Sequence, residues 1–189
     1  MNTTATDIDA ETGENFGTYP TPSMVHLERI LPGPIERVWA YLIEADKRAK
    51  WFASGSMPSA VGEGFQLLFN NQTLGKSGDT PERFRKYENK TMSSVLTRYE
   101  PPHALGFTFG IGPDSSEVLF ELSPHARGVL LTVKHWKLTT GEGKLSVSAG
   151  WHAHLGVLVD LLEGNPERPF WPRFEALERE YRKLIPGLS

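Results

Sequence analysis

Two histidines in the second half of the chain, His135 and His154, are the side chains best placed to do chemistry. In GVLLTVKHWKL, Val129, Leu131, Val133 and His135 recur at every second position, so a strand turns all four to one face. His154 stands three residues after Trp151 and four before Leu158, on the apolar stripe of a segment with helical spacing. Both imidazoles are therefore expected to look into one interior space. There an imidazole can bind the polar group of a ligand or shuttle a proton. The plainer alternative for each is a histidine satisfied by a neighbouring donor or acceptor, as buried polar groups generally are.

Other chemistries find little support. His152 and His154 are two residues apart, about 200° around a helix, and cannot share one metal ion. His135 and His154 supply only two ligands, and Glu121, a third candidate, falls on the strand face opposite Phe120. No metal site is expected. The chain has no cysteine, which removes disulfides, thiolate ligands and thiol nucleophiles. It has no Gly-x-Ser-x-Gly elbow. Gly141-Glu142-Gly143-Lys144 matches a fragment of a phosphate-binding loop but lacks its spacing and its Ser/Thr, so it reads as a turn closing the sheet. No cofactor is implied.

The elements that must position the histidines follow from periodicity. At 189 residues one domain is the natural count. A net charge of −3 offers no general attraction to nucleic acid or anionic lipid. Residues 1–22 are polar and acidic, carry no leader pattern, and are expected to be a disordered arm before a single domain over 23–189. No run approaches eighteen apolar residues, so neither a membrane span nor a membrane partner is expected, and a cytoplasmic location follows.

Met24–Leu31 alternates as a strand, with Val25, Leu27, Arg29 and Leu31 together. Pro34 then leads a short helix with the stripe Ile35, Val38, Trp39, Leu42, Ile43, and Asp46 is placed to cap a second short helix ending near Trp51. Five more strands carry Phe65 and Phe69; Val95, Thr97 and Tyr99; Leu105, Phe107 and Phe109; Val118, Phe120 and Leu122; and Val129 to His135. On this reading Arg98 alternates onto the outer face. From Leu145 to Leu162 a helix presents Val147, Trp151, Leu155, Leu158 and Leu162, with Gly164 as its stop. A last helix carries Phe174, Leu177, Tyr181 and Leu184, and Phe170 and Trp171 beside it are either an apolar anchor or a cover for the sheet end.

The expected architecture is α+β: a curved antiparallel sheet wrapped around a long C-terminal helix, with two short helices after the first strand. A cavity is expected between sheet and helix. Its candidate lining is Trp39, Phe65, Phe69, Val95, Phe107, Phe120, Val133, His135, Trp151, His154 and Leu158.

Several stretches carry a family resemblance. LPGPIERVWAYLIEADKRAKWF resembles the opening of START-like (SRPBCC, helix-grip, Bet v 1-like) proteins, in particular the branch named after the activator of Hsp90 ATPase. Tyr99-Glu100-Pro101-Pro102 with Leu105, Val129–Trp136, and Gly150-Trp151-His152-x-His154-Leu155 resemble later motifs of that branch, in its order. The resemblance covers residues 24–164 and implies a helix-grip fold with an internal cavity. Two segments depart from it: a polar insertion at 70–91 and a helical extension at 165–189.

Three functional readings follow. The first is a non-catalytic protein that binds a small hydrophobic or amphipathic molecule in the cavity. The second is a cyclase, dehydratase or hydrolase using a cavity histidine as acid–base, partnered by a group such as Tyr99 or Tyr41. The third is a protein-interaction module that docks a chaperone or forms a homodimer. The eukaryotic activator named by the resemblance makes much of its chaperone contact through a separate N-terminal domain, which 22 polar residues do not replace. The mixed charges of the insertion read first as solvated surface, and the functional alternative is a lid in which Phe84 and Tyr87 fold over the cavity mouth.

Overall fold

Six strands form one antiparallel sheet in the order β1-β6-β5-β4-β3-β2, so the first strand pairs with the last. The computed structural model describes residues 9, 13–76 and 79–188. Strand β1 (Val25–Leu31) buries Val25, Leu27, Arg29 and Leu31, as its alternation predicts. The chain then crosses to the far edge through α1 (Ile35–Ile43) and α2 (Ala45–Arg48). Asp46 does not cap α2; it lies inside the first turn, and Glu44 holds the cap position.

The meander β2 (Gly64–Phe69), β3 (Lys90–Glu100), β4 (Ala104–Phe109), β5 (Ser116–His125) and β6 (Gly128–Trp136) returns to β1, where His135 pairs with Val25. Ala104–Phe107 of β4 are buried without a break, and burial on β5 and β6 follows the expected parity. On β3 it does not. Ser94 and Leu96 are buried, and Val95 belongs to the other face. A bulge between Leu96 and Arg98 then shifts the register, so Tyr99 returns to the core side and packs edge-on to Trp39 at 5.7 Å. Arg98 is on the outer face as expected, paired with Glu100 and Glu121, but through the bulge and not through simple alternation.

Helix α3 (Gly141–Glu163) starts four residues before the predicted Leu145. Gly141–Lys144 is its first turn and not a turn closing the sheet: the Thr140 hydroxyl accepts from the Gly143 N–H at 3.0 Å, a cap contributing about 1 kcal/mol. Gly164, with φ of 75°, ends the helix in the left-handed conformation that favours glycine. Every residue from Trp151 to Leu158 is buried, because the sheet, α4 (Phe170–Leu184) and the N-terminal segment cover different sides. Among the described residues α3 alone is long and apolar enough to cross a membrane, and 72% of that window is buried as in a core helix.

Two segments pack more closely than their composition suggests. In the described part of the N-terminal arm, Phe16 and Gly17 are buried, Thr18 bridges His26, and the Gly17 N–H donates to the Tyr181 hydroxyl at 2.8 Å. This stretch is docked and not the free arm expected; residues 1–8 and 10–12 lie outside the described residues. The insertion forms 3-10 turns over Asn71–Lys76, broken by a kink at Leu74 and Gly75, and over Glu82–Tyr87, and leans on the C-terminal extension. Leu74 joins the apolar cluster of Phe170, Trp171 and Phe174. Gly75, at φ of 59°, passes so close to the Arg168 carbonyl that any Cβ there would collide with it.

Candidate functional site

Where the insertion and α4 rise above the sheet, they enclose a mostly apolar cavity of about 600 Å³. The sheet contributes Phe69, Met92, Phe109 and His135, and Phe52 closes the corner after α2. Helix α3 contributes Val147, Gly150, Trp151 and His154. Helix α4 supplies Phe170, Trp171 and Phe174, and the insertion supplies Phe84 and Tyr87. The more exposed polar residues Asn71, Lys90, Glu142, Ser146 and Glu178 also border it and mark its mouth.

The two departures from the family pattern therefore meet as one wall. Phe84 stacks on Trp171 at 4.8 Å between ring centroids, with planes 11° apart. Arg83 holds Glu178 at 2.7 Å and Glu175 at 3.2 Å, and the Trp171 indole donates to Glu88 at 3.0 Å.

Of the eleven residues expected to line a cavity, Phe69, His135, Trp151 and His154 do so. Trp39, Phe65, Phe107, Phe120, Val133 and Leu158 are instead packed solid in the main core beneath α3, where Phe107 meets Phe65 at 5.6 Å and Phe120 at 5.9 Å. Val95 is excluded by its strand face. The open space lies beside the N-terminal half of α3 and not under its middle. Phe109 was within reach of the alternation that placed Phe107, and Phe174 was legible on its own helix. Phe170 and Trp171 are buried wall residues and present no exposed anchor.

The cavity histidines differ in what their ring nitrogens do. The Trp151 indole N–H donates to His135 Nδ1 at 2.9 Å, so the proton sits on Nε2, which donates to the Ser116 hydroxyl at 2.7 Å. Both nitrogens are occupied, and burial pushes the pKa down to about 3. The polar neighbour of this imidazole is Ser116, not Tyr99 or Tyr41.

His154 Nδ1 lies 2.8 Å from the Trp51 carbonyl, which can only accept, so Nδ1 carries the proton and Nε2 a lone pair. Among the described residues nothing hydrogen-bonds Nε2, although the residue is only 6% exposed and lines the cavity. Its pKa is lowered to about 4 by burial, against the hydrogen bond to Trp51. The ring packs on Phe170 at 4.5 Å and edge-on to Phe52 at 5.2 Å.

The carbonyl that orients His154 is itself held by a buried cation. Arg48 donates to the carbonyls of Ile43, Ala53 and Gly55, fixing the chain on both sides of Trp51 and Phe52. Burial lowers its pKa to about 10.

His152 faces away, into a second buried region. Its Nδ1 accepts from the Tyr181 hydroxyl at 3.0 Å, and Nε2 lies 3.3 Å from Glu14. Burial raises the Glu14 carboxyl pKa, but the His152 hydrogen bond and the charges of Arg29 and Arg168 outweigh it and hold the group at about 2. Among the described residues no three His, Asp or Glu side chains converge as a metal-holding group.

The sequence model described as "Activator of Hsp90 ATPase homolog 1-like protein" matches residues 32–163. The protein encoded by gene BPP1335 of Bordetella parapertussis, solved by NMR in solution, is 39% identical over 96% of this chain and 95% of that one, with a TM-score of 0.78. Its match therefore reaches beyond residue 163 into the α4 extension. CalU16 from Micromonospora echinospora is 19% identical over 87% of this chain and 88% of its own, with a TM-score of 0.59. DynU16, a protein of the dynemicin biosynthetic locus, is 24% identical over 79% of this chain and 51% of its own, with a TM-score of 0.61. The last two are likenesses of fold. No curated protein matches the sequence.

Proposed function

The chain belongs to the activator of Hsp90 ATPase homolog 1-like family, and from that premise we propose that it is a non-catalytic protein that binds a small hydrophobic or amphipathic molecule in the cavity between sheet, α3 and α4. One observation carries this reading: a space of about 600 Å³ walled by aromatic rings from six separate segments of the chain. That volume falls in the range of small-molecule sites, roughly 300–1,000 Å³. Transfer of an apolar ligand into such a space contributes about 25 cal/mol for each Å² removed from water.

An acid–base enzyme would need a second polar group beside a free imidazole. Both His135 nitrogens are engaged, and among the described residues no polar side chain hydrogen-bonds His154 Nε2. The chaperone and homodimer readings draw on no observed surface. The insertion serves as the gate. Its ion pairs with α4 are partly exposed and contribute about 0–1 kcal/mol each, and the Phe84–Trp171 stack adds about 1 kcal/mol. Closure that weak opens readily for ligand exchange.

The test is native mass spectrometry of the purified protein beside a Gly150→Leu variant. Gly150 borders the cavity, and a Cβ there meets nothing closer than Phe174 at 3.9 Å. The larger side chain should fill the space without straining the helix. We expect an apolar adduct, carried through purification or added, on the wild type and not on a folded variant. Equal adduct occupancy on both proteins contradicts the placement in this cavity.

A further inference from the structure

The polar atoms of the cavity wall are unequal in a way that bears on ligand chemistry. The Trp151 N–H is spent on His135 Nδ1, His135 Nε2 is held by Ser116, and the Trp171 N–H is held by Glu88. Tyr87, Ser146, Lys90 and the two carboxylates stand at the more exposed border. Deep in the wall, between Phe52 and Phe170, His154 Nε2 has no partner among the described residues, and at the border the buried Asn71 Oδ1 has none either. His154 as a whole is 6% exposed.

Resting on the cavity reading above, we propose that the site selects neutral, flat apolar molecules that carry one hydroxyl or N–H group, which donates to His154 Nε2. The Trp51 carbonyl fixes the tautomer, so this atom can only accept. A ligand without a donor leaves the lone pair unmatched in an apolar wall, the costly arrangement for a buried polar group. A carboxylate placed there meets a lone pair and no donor. The aromatic rings on either side of His154 favour a flat ring system over a flexible chain, through stacked and edge-on contacts.

The experiment is a calorimetric titration of the wild-type protein with 2-naphthol, 2-methoxynaphthalene and 2-naphthoate. The methyl ether is the more apolar compound, so transfer from water alone ranks it above the naphthol by about fourfold. The proposal reverses that order: 2-naphthol binds about fivefold tighter than the ether, and 2-naphthoate binds weakest. In His154→Phe, checked for folding by circular dichroism, the ether regains first place. His154→Gln, whose amide can still donate to Trp51 and accept from the ligand, restores part of the preference. If the ether or the naphthoate binds wild type at least as tightly as the naphthol, the donor requirement is overturned while the cavity reading stands. If none of the three binds, the cavity reading fails and takes this inference with it.

Discussion

His152 and His154 stand two residues apart on one helix; both are buried and both are held neutral by burial, yet they serve opposite ends. On the His152 side, Glu14, Arg29, Arg168 and Tyr181 form a closed network in which the imidazole bonds at Nδ1 and faces a carboxylate at Nε2. On the His154 side the surroundings are rings, and one nitrogen has no protein partner among the described residues. Two residues along a helix are about 200° apart around its axis, so the same residue type is a structural cross-link on one face and a cavity-lining group on the other. Burial and a lowered pKa do not distinguish the two roles; the accounting of each nitrogen does.

Acid should act on both sides of α3, with the largest effect. The buried imidazoles of His135, His152 and His154 have pKa values of about 3, 4 and 4 against an ordinary 6.5. The unfolded chain therefore takes up protons first as pH falls. Stability is fully present above about 6.5 and is lost as pH drops toward 4, by on the order of 3 kcal/mol per imidazole at most. Glu14, with its pKa lowered to about 2, adds loss in the same direction below its ordinary 4.5. Urea midpoints at pH 7.5, 6 and 5 should fall steadily; a flat series would show that the histidines are not buried neutral.

Substitution should then separate the two sides. His152→Leu leaves Tyr181 and the Glu14 carboxylate without the imidazole and should cost about 3 kcal/mol by urea unfolding. His154→Phe leaves only the Trp51 carbonyl unmet and should cost about 1–2 kcal/mol. Equal costs would erase the distinction between network and cavity. The smallest effect is expected at the gate. Arg83→Ala removes exposed pairs with Glu175 and Glu178, so stability should change by less than about 1 kcal/mol. Limited proteolysis within 79–90 should nonetheless quicken, and bound ligand should slow it again. Cleavage unaffected by ligand in both proteins would remove the gating role of the insertion.

Much of the scaffold was legible because its information is local. Alternation on β6 carried His135 to the inner face, and helical spacing carried Trp151 and His154 to one side of α3. Local rules failed where one residue changes the count. The bulge after Leu96 reverses parity, and the fault shows in Val95. Gly141-Glu142-Gly143 reads as a turn until Thr140 is seen to cap it. The cavity wall was less legible for a different reason. Phe84 and Trp171 are far apart in sequence and meet only in the fold, so nothing in either segment announces the other. Phe16, likewise, stands in a polar stretch, and its docking depends on Tyr181, far away in the sequence.

The most direct test labels the histidine rings with nitrogen-15 and follows their resonances as 2-naphthol is added to the wild-type protein. Occupation of the cavity by a donor predicts that the Nε2 signal of His154 shifts and saturates, while the signals of His135 and His152 hold their positions. A saturating titration that leaves His154 unmoved, or one that moves His152 instead, would contradict the assignment of the binding site to the aromatic side of α3.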